Sequence, residues 1–167
     1  MRIAESVEWA AHCAVVLAGL PEGATMPGGA LAEFHAVPAP YLAKSLQALA
    51  RAGVIESVAG RRGGYRLARA AQEITLLDIV LAVDGDQQAF RCTEIRQQGP
   101  CAVESSSYRG RCAIAAAMWR AEKAYRDSLS TVTIGDIAER VLATAPAEGL
   151  RLASAWLPGV VRLPGEQ

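Results

Sequence analysis

The sequence predicts a mainly α-helical protein with a small β-wing: a winged helix-turn-helix domain followed by a long helix suited to dimerisation. Three observations carry that expectation. Residues 41–69 read as a helix, a short strand, a basic glycine-rich tip and a returning strand. Two further helical stretches, joined by turn residues, precede them. Farther on, residues 113–129 place Ile114, Met118, Ala121, Tyr125 and Leu129 on one seam, a spacing that fits a partner helix, with packing on the chain's own domain as the plainer reading.

In chain order, residues 7–20 form the first predicted helix, with Val7, Ala11, Ala14, Val15 and Ala18 as its apolar stripe. Glu8 and His12 are four apart and share another face. Residues 27–36 read as a short second helix with Leu31 and Phe34 inward, and Val37-Pro38-Ala39-Pro40 as the turn. Pro40 suits the first turn of the next helix, because the missing N–H would have no partner there. In that helix Leu42, Leu46 and Leu49 face inward, while Tyr41, Lys44, Ser45 and Gln47 lie off the apolar face. Gly53 ends it in the left-handed conformation that glycine adopts without penalty. Val54, Ile55 and Val58 form one strand of the wing and Tyr65-Arg66-Leu67 the other, with Arg61 and Arg62 at the tip. Thr75 with Asp78, and Thr133 with Asp136, have the spacing of helix-starting capping boxes. The expected domains are 1–85, winged helix-turn-helix; 86–112, a cysteine-bearing loop; 113–143, the long helix and a short one; and 144–167, a tail rich in Ala, Pro and Gly that either stays loose or docks through Trp156 and Leu157.

The chain has 17 basic and 17 acidic residues, so its formal net charge is zero. The distribution is uneven. Between positions 41 and 69, six cations face only Glu56, whereas positions 70–110 carry a net excess of acids. Phosphates respond to a local basic patch and not to the chain-wide sum. No transmembrane run is evident, and residues 7–20 lack the cationic leader of a signal peptide, so a cytoplasmic protein is expected. No phosphate loop, nucleotide fingerprint or nucleophile elbow marks an enzyme. An ordinary helix packed on a core hairpin is the competing reading of residues 41–69, but core hairpins seldom place paired arginines between glycines.

The expected DNA contacts follow from how a winged helix docks. The second helix of the pair enters the major groove by its N-terminal part, which puts Tyr41, Lys44, Ser45 and Gln47 near phosphates or base edges. Arg61 and Arg62 suit a minor groove or its phosphates. Of the four cysteines, Cys92 and Cys112 lie in or bound the loop and are candidate ligands, with idle thiols as the plainer reading; Cys13 is expected to be packed. A helix can present Glu8 and His12 as a pincer to a metal, yet from spacing alone a surface polar pair is the simpler account.

Tyr41-Leu-Ala-Lys, Leu49-Ala-Arg-Ala-Gly53, Gly60-Arg-Arg-Gly-Gly-Tyr65 and Glu73-Ile-Thr-Leu-Leu-Asp-Ile79 together resemble the Rrf-two family of bacterial winged-helix regulators, over about residues 1–142. The resemblance implies a homodimer on a two-fold-symmetric double-stranded DNA operator, often acting as a repressor, and in many members an iron–sulfur cluster. The usual three closely spaced cysteines are absent. Val7-Glu-Trp-Ala-Ala-His12-Cys13 and Cys92-Thr-Glu-Ile-Arg-Gln97, with Cys112 before Ile114, resemble instead the RsrR type. That likeness implies a [2Fe-2S] cluster held by Cys92, Cys112, His12 and Glu8, with Cys101 additional or a rival third ligand. Trp9, next to a ligand position, is expected to relay a redox change from the cluster. Sensing by cluster loss and a zinc-stabilised module are the alternatives.

Overall fold

The computed structural model describes residues 3–60 and 63–164. Arg61 and Arg62 therefore lie outside the described residues. Seven α-helices and one two-stranded antiparallel sheet make up the regular structure of the described residues: α1 (Glu5–Ala18), α2 (Gly28–Phe34), α3 (Ala39–Arg51), β1 (Ile55–Val58), β2 (Gly64–Leu67), α4 (Leu76–Asp84), α5 (Ala113–Ser130), α6 (Ile134–Thr144) and α7 (Ala147–Trp156). The mainly helical winged fold with its small wing is as the sequence predicts.

The core sits around α1, which packs on α3, α4 and α6. Val7, Ala10, Cys13, Ala14 and Leu17 are its buried residues. The stripe thus runs through Ala10, Cys13 and Leu17 and not through Ala11, Val15 and Ala18, which are half-buried. A helix this rich in alanine and valine leaves the choice between adjacent stripes to its neighbours, and α3 with its fully buried Leu42, Leu46 and Leu49 makes that choice. Cys13 is packed, as expected, and its burial pushes the thiol up to about 12.

The turn into the wing is set by backbone chemistry. Gly53 has φ +69°, its N–H donates to the Ala50 carbonyl, and the Val54 N–H donates to the Leu49 carbonyl. This paired closure satisfies carbonyls that the end of α3 leaves without partners, and it aims β1 directly away from the helix. The wing pairs Ile55 with Leu67, Glu56 with Arg66, Ser57 with Tyr65 and Val58 with Gly64. Met26 pairs with Tyr65 on the other edge of β2. At Gly64 a Cβ would stand 2.7 Å from the Met26 carbonyl group, so only glycine allows this approach.

Two matching caps join the winged domain to the long helix. Thr75 and Asp78 form a complete capping box on α4, and Thr133 and Asp136 form another on α6. Thr75 and Thr133 pair across the two starts, with the Leu76 N–H donating to the Val132 carbonyl at 2.9 Å and the Ile134 N–H to the Ile74 carbonyl at 2.7 Å. α5 packs on α4. Between them, residues 85–112 carry only two short 3₁₀ turns.

Thr75→Ala is expected to lower unfolding free energy by about 1 kcal/mol, the usual worth of an N-cap. Urea titration reads this as a lower midpoint at unchanged slope; an unaltered midpoint contradicts the assignment.

Candidate DNA interface and metal centre

α3 begins after Pro38 and carries Pro40 in its first turn. Tyr41 is 62% exposed, and the Lys44 ammonium stands 5.8 Å from its ring centroid, a cation over an aromatic face. Gln47 and Arg51 are exposed farther along the helix. Ser45 is different: it is 3% exposed and lies with Leu42, Leu46 and Leu49 on the buried side. Its place off the apolar face, expected from its polarity, is corrected here. Positions 42, 45, 46 and 49 fall on one helical stripe, and a serine is small enough to enter it.

The basic patch is smaller than its sequence count. Arg66 is paired with Glu56 across the wing, and Arg69 with Asp78 at 3.1 Å. Among the described residues neither Lys44 nor Arg51 has an ion-pair partner. The cations left for an outside phosphate are therefore those on α3, together with Arg61 and Arg62 by sequence.

The cysteine loop brings two predicted ligands together. Cys112 is the N-cap of α5. The backbone N–H of Ala115 lowers its thiol below the usual value, against burial that raises it; the N–H of Ile114, the Cys92 side chain and the Arg96 charge add to the lowering. The amino end of a helix favours a thiolate in this way. Glu94, with φ +48°, is turned back into the same site. The Cys92 thiol reaches its carboxylate at 3.7 Å, and Arg96 Nε donates to it at 2.6 Å. Arg96, whose hydrogen bond holds the Glu94 carboxyl below the usual carboxylate range, also donates to the Gly110 carbonyl at 2.7 Å. The Tyr108 hydroxyl donates to the Arg96 carbonyl, so both ends of the loop are fastened. Spacing gave no sign of Glu94 or Arg96 as parts of the site, because the left-handed turn that brings them in has no glycine or asparagine to mark it. Cys101 is exposed elsewhere in the loop.

Glu8 and His12 stand apart from this pair. Both are exposed on α1. Glu8 opens onto a cavity of about 890 Å³ between α1, α4 and α5, flanked by Glu122, Tyr125 and Arg126. Those α5 residues lie roughly 15–21 Å along the helix from Cys112. Arg126 ties Asp86 and Glu122 together there, and the Ala89 N–H donates to Glu122 at 3.2 Å. The Tyr125 hydroxyl is buried without a hydrogen-bond partner among the described residues. The His12 ring centroid is 5.5 Å from that of His35, whose own pKa is lowered first by burial and then by the neighbouring His12. Among the described residues no three His, Cys, Asp or Glu side chains of the one chain converge on a metal-sized site. The four predicted ligands therefore form two pairs, Cys92 with Cys112 and Glu8 with His12. Each pair is half of what a [2Fe–2S] group needs, and thiolate, imidazole and carboxylate are suitable donors.

Trp9 is half-buried and lines a second cavity, of about 550 Å³, with Tyr41, Lys44 and Arg51. It thus sits between the Glu8–His12 face of α1 and the exposed face of α3. α5 leaves Ile114 67% and Met118 45% exposed, so among the described residues the upper half of its apolar seam is largely uncovered. Among the described residues no helix is long and apolar enough to cross a membrane.

Comparison with known proteins fits this architecture. The profile of the Rrf2 family, described as iron-dependent transcriptional regulator, matches residues 3–140. YffB of Lactococcus lactis, named as an HTH-type transcriptional regulator, is 30% identical over 140 residues, which cover 83% of this chain and 88% of that protein. Among solved structures, CymR, the global cysteine regulator of B. subtilis, superposes with a TM-score of 0.66 at 20% identity, over 84% of this chain and 98% of CymR. The IscR of T. potens does so with a TM-score of 0.65 at 20% identity, over 91% and 96%. At that identity the two structures speak for the fold alone. The family match extends through the wing, the cysteine loop and α5, and its members regulate transcription and are not enzymes: this chain belongs to the Rrf2 family of DNA-binding transcriptional regulators.

Proposed function

We propose that the protein is a homodimeric repressor of a two-fold-symmetric operator, and that a [2Fe–2S] cluster of the RsrR type sets its affinity for DNA. The observation that carries this reading is the division of the ligands. Cys92 and Cys112 meet at the start of α5, while Glu8 and His12 are exposed on a face of α1 that does not converge with the cysteines of the same chain among the described residues. Pairing of two α5 seams, which would cover Ile114 and Met118, carries each loop toward the other chain. The cluster is then held by Cys92 and Cys112 of one chain and by Glu8 and His12 of the partner subunit. In this assignment residues 1–85 bind DNA, 86–112 hold the cluster, and 113–143 form the dimer contact.

A bound cluster supplies a one-electron couple, and so a change of charge at a poorly solvated place. The chain's own residues turn that change into affinity. α1 carries Glu8 and His12 on its outer face and packs by its inner face on α3, the helix that enters the major groove. Trp9, which lines the cavity between the two with Tyr41 and Lys44, is assigned to transmit a change in the tilt of α1. Only unequal affinity of the two redox states for DNA can move the equilibrium; a tenfold difference corresponds to about 1.4 kcal/mol. Exposure of much of the loop favours one second reading, loss of the cluster as the signal.

DNA contact is assigned to Tyr41, Lys44 and Gln47 of α3 and to Arg61 and Arg62 of the wing. Each lost phosphate contact is expected to reduce the salt slope of binding by about 0.9. Lys44→Ala therefore lowers affinity and slope together, and Arg61→Ala with Arg62→Ala lowers the slope by about two such steps. Fluorescence anisotropy across a salt series reads both, and unchanged slopes contradict the contacts.

Cys92→Ala or Cys112→Ala is expected to abolish the visible absorption of protein purified without oxygen, while Cys101→Ala leaves it. A colourless Cys101→Ala protein would instead support ligation by three cysteines.

Operator affinity at one salt concentration is expected to differ between oxidised and reduced protein. Equal affinities, with only cluster-free protein differing, would replace redox switching by cluster loss.

A further inference from the structure

The chain continues past the family-matched residues, and its end returns to the wing. After α7 a short 3₁₀ turn, Leu157–Gly159, leads into residues 160–164. The Trp156 ring centroid stands 5.5 Å from that of Phe34, and Leu157 and Val160 pack against the core. Arg162 then pairs with Thr25 in both directions, each N–H donating to the other's carbonyl at 2.9 Å. Met26, the next residue, pairs in both directions with Tyr65 of β2, at 3.0 and 2.8 Å. Arg162, Thr25–Met26, Tyr65 and Ser57 thus stand in one hydrogen-bonded row, with the chain's end at its outer edge.

The Arg162 side chain reaches beyond that row. Its Nη1 donates to the Gly63 carbonyl at 2.9 Å. Gly63 lies at the foot of the wing tip, and its N–H closes the tip turn onto the Gly60 carbonyl at 2.8 Å. A Cβ at Gly63 would be 2.2 Å from the Val58 carbonyl oxygen, so Gly63 itself lies tightly against the end of β1. An isolated two-stranded ribbon is marginal in water and free to tilt. Here the Met26 pairing ties the outer edge of β2 to the core, and the Arg162 guanidinium, anchored by main-chain bonds to Thr25, adds a hold at Gly63, at the base of the tip.

We infer that Arg162 is a positioning residue for DNA binding: the C-terminal segment braces the base of the wing, the hairpin that by sequence carries Arg61 and Arg62. This rests on the assignment of those two arginines as DNA contacts.

The test is a double-mutant cycle on the full chain, read as operator affinity and salt slope. Arg162→Ala alone is expected to weaken binding by about tenfold, with unchanged helical circular dichroism. In the background of Arg61→Ala and Arg62→Ala, the same change is expected to alter affinity less than about twofold, because the braced groups are already gone. Arg162→Gln, which keeps the main-chain pairing with Thr25, serves the same cycle if Arg162→Ala lowers the folded fraction. Faster amide exchange at Gly63 and Tyr65 in either variant supports the brace. Equal losses in both backgrounds would make Arg162 an independent phosphate contact and overturn the inference. So would wild-type affinity of the Arg162 variants when the wing variants bind weakly. If the wing variants bind as wild type, the wing assignment itself fails, and the brace falls with it.

Discussion

Everything in this protein is referred to the burial of α1. Its inner face places Val7, Ala10, Cys13, Ala14 and Leu17 against α3, α4 and α6, and three of the five are fully excluded from solvent. Small side chains at Ala10 and Ala14 let the neighbouring helices approach closely. The larger partners, Leu42, Leu46, Leu49, Ile79 and Ile134, then each contribute about 1.5–3 kcal/mol by leaving water. A helix held this tightly cannot move alone. Whatever acts on its exposed face at Glu8 and His12 also acts on α3, the helix proposed to meet DNA.

The division of the ligand set follows from helix lengths. α5 runs from its N-cap Cys112 past Tyr125 and Arg126, and Glu8 of α1 shares a cavity with that far half. Among the described residues the thiols do not converge with the imidazole and carboxylate of the same chain. The same geometry leaves the α5 seam uncovered, so one event, pairing of two chains, is proposed to bury Ile114 and Met118 and to complete both sites. The place of Cys112 at the N-cap of α5 by itself favours a thiolate, because a helix N-terminus offers N–H groups to it.

Much of this was legible in the residues, for identifiable reasons. Leu42, Leu46 and Leu49 repeat at the helical period, Gly53 marks a left-handed residue, and both Thr-x-x-Asp pairs sit where helices start; each is a local cause with a local effect. What the residues concealed depends on tertiary neighbours. Ser45 is polar but small, and only the closeness of α1 and α4 shows that its position is interior. Glu94 turns into the cysteine site through a left-handed bend that its side chain does not announce. The composition of the last residues suggests a loose tail, yet Trp156 finds Phe34 and Arg162 finds Thr25, contacts more than 100 positions apart in sequence.

The most direct measurement is the visible spectrum of a mixed dimer. One chain would carry Cys92→Ala and Cys112→Ala, the other Glu8→Ala and His12→Ala, with different affinity tags allowing the heterodimer to be isolated without oxygen. Ligation across the dimer predicts one complete site and one empty site, and therefore about half the cluster absorbance of the unmodified dimer. Each variant homodimer should lack that signal. A colourless heterodimer, in which every site has lost two ligands, would show that the four residues act within single chains and would contradict the account.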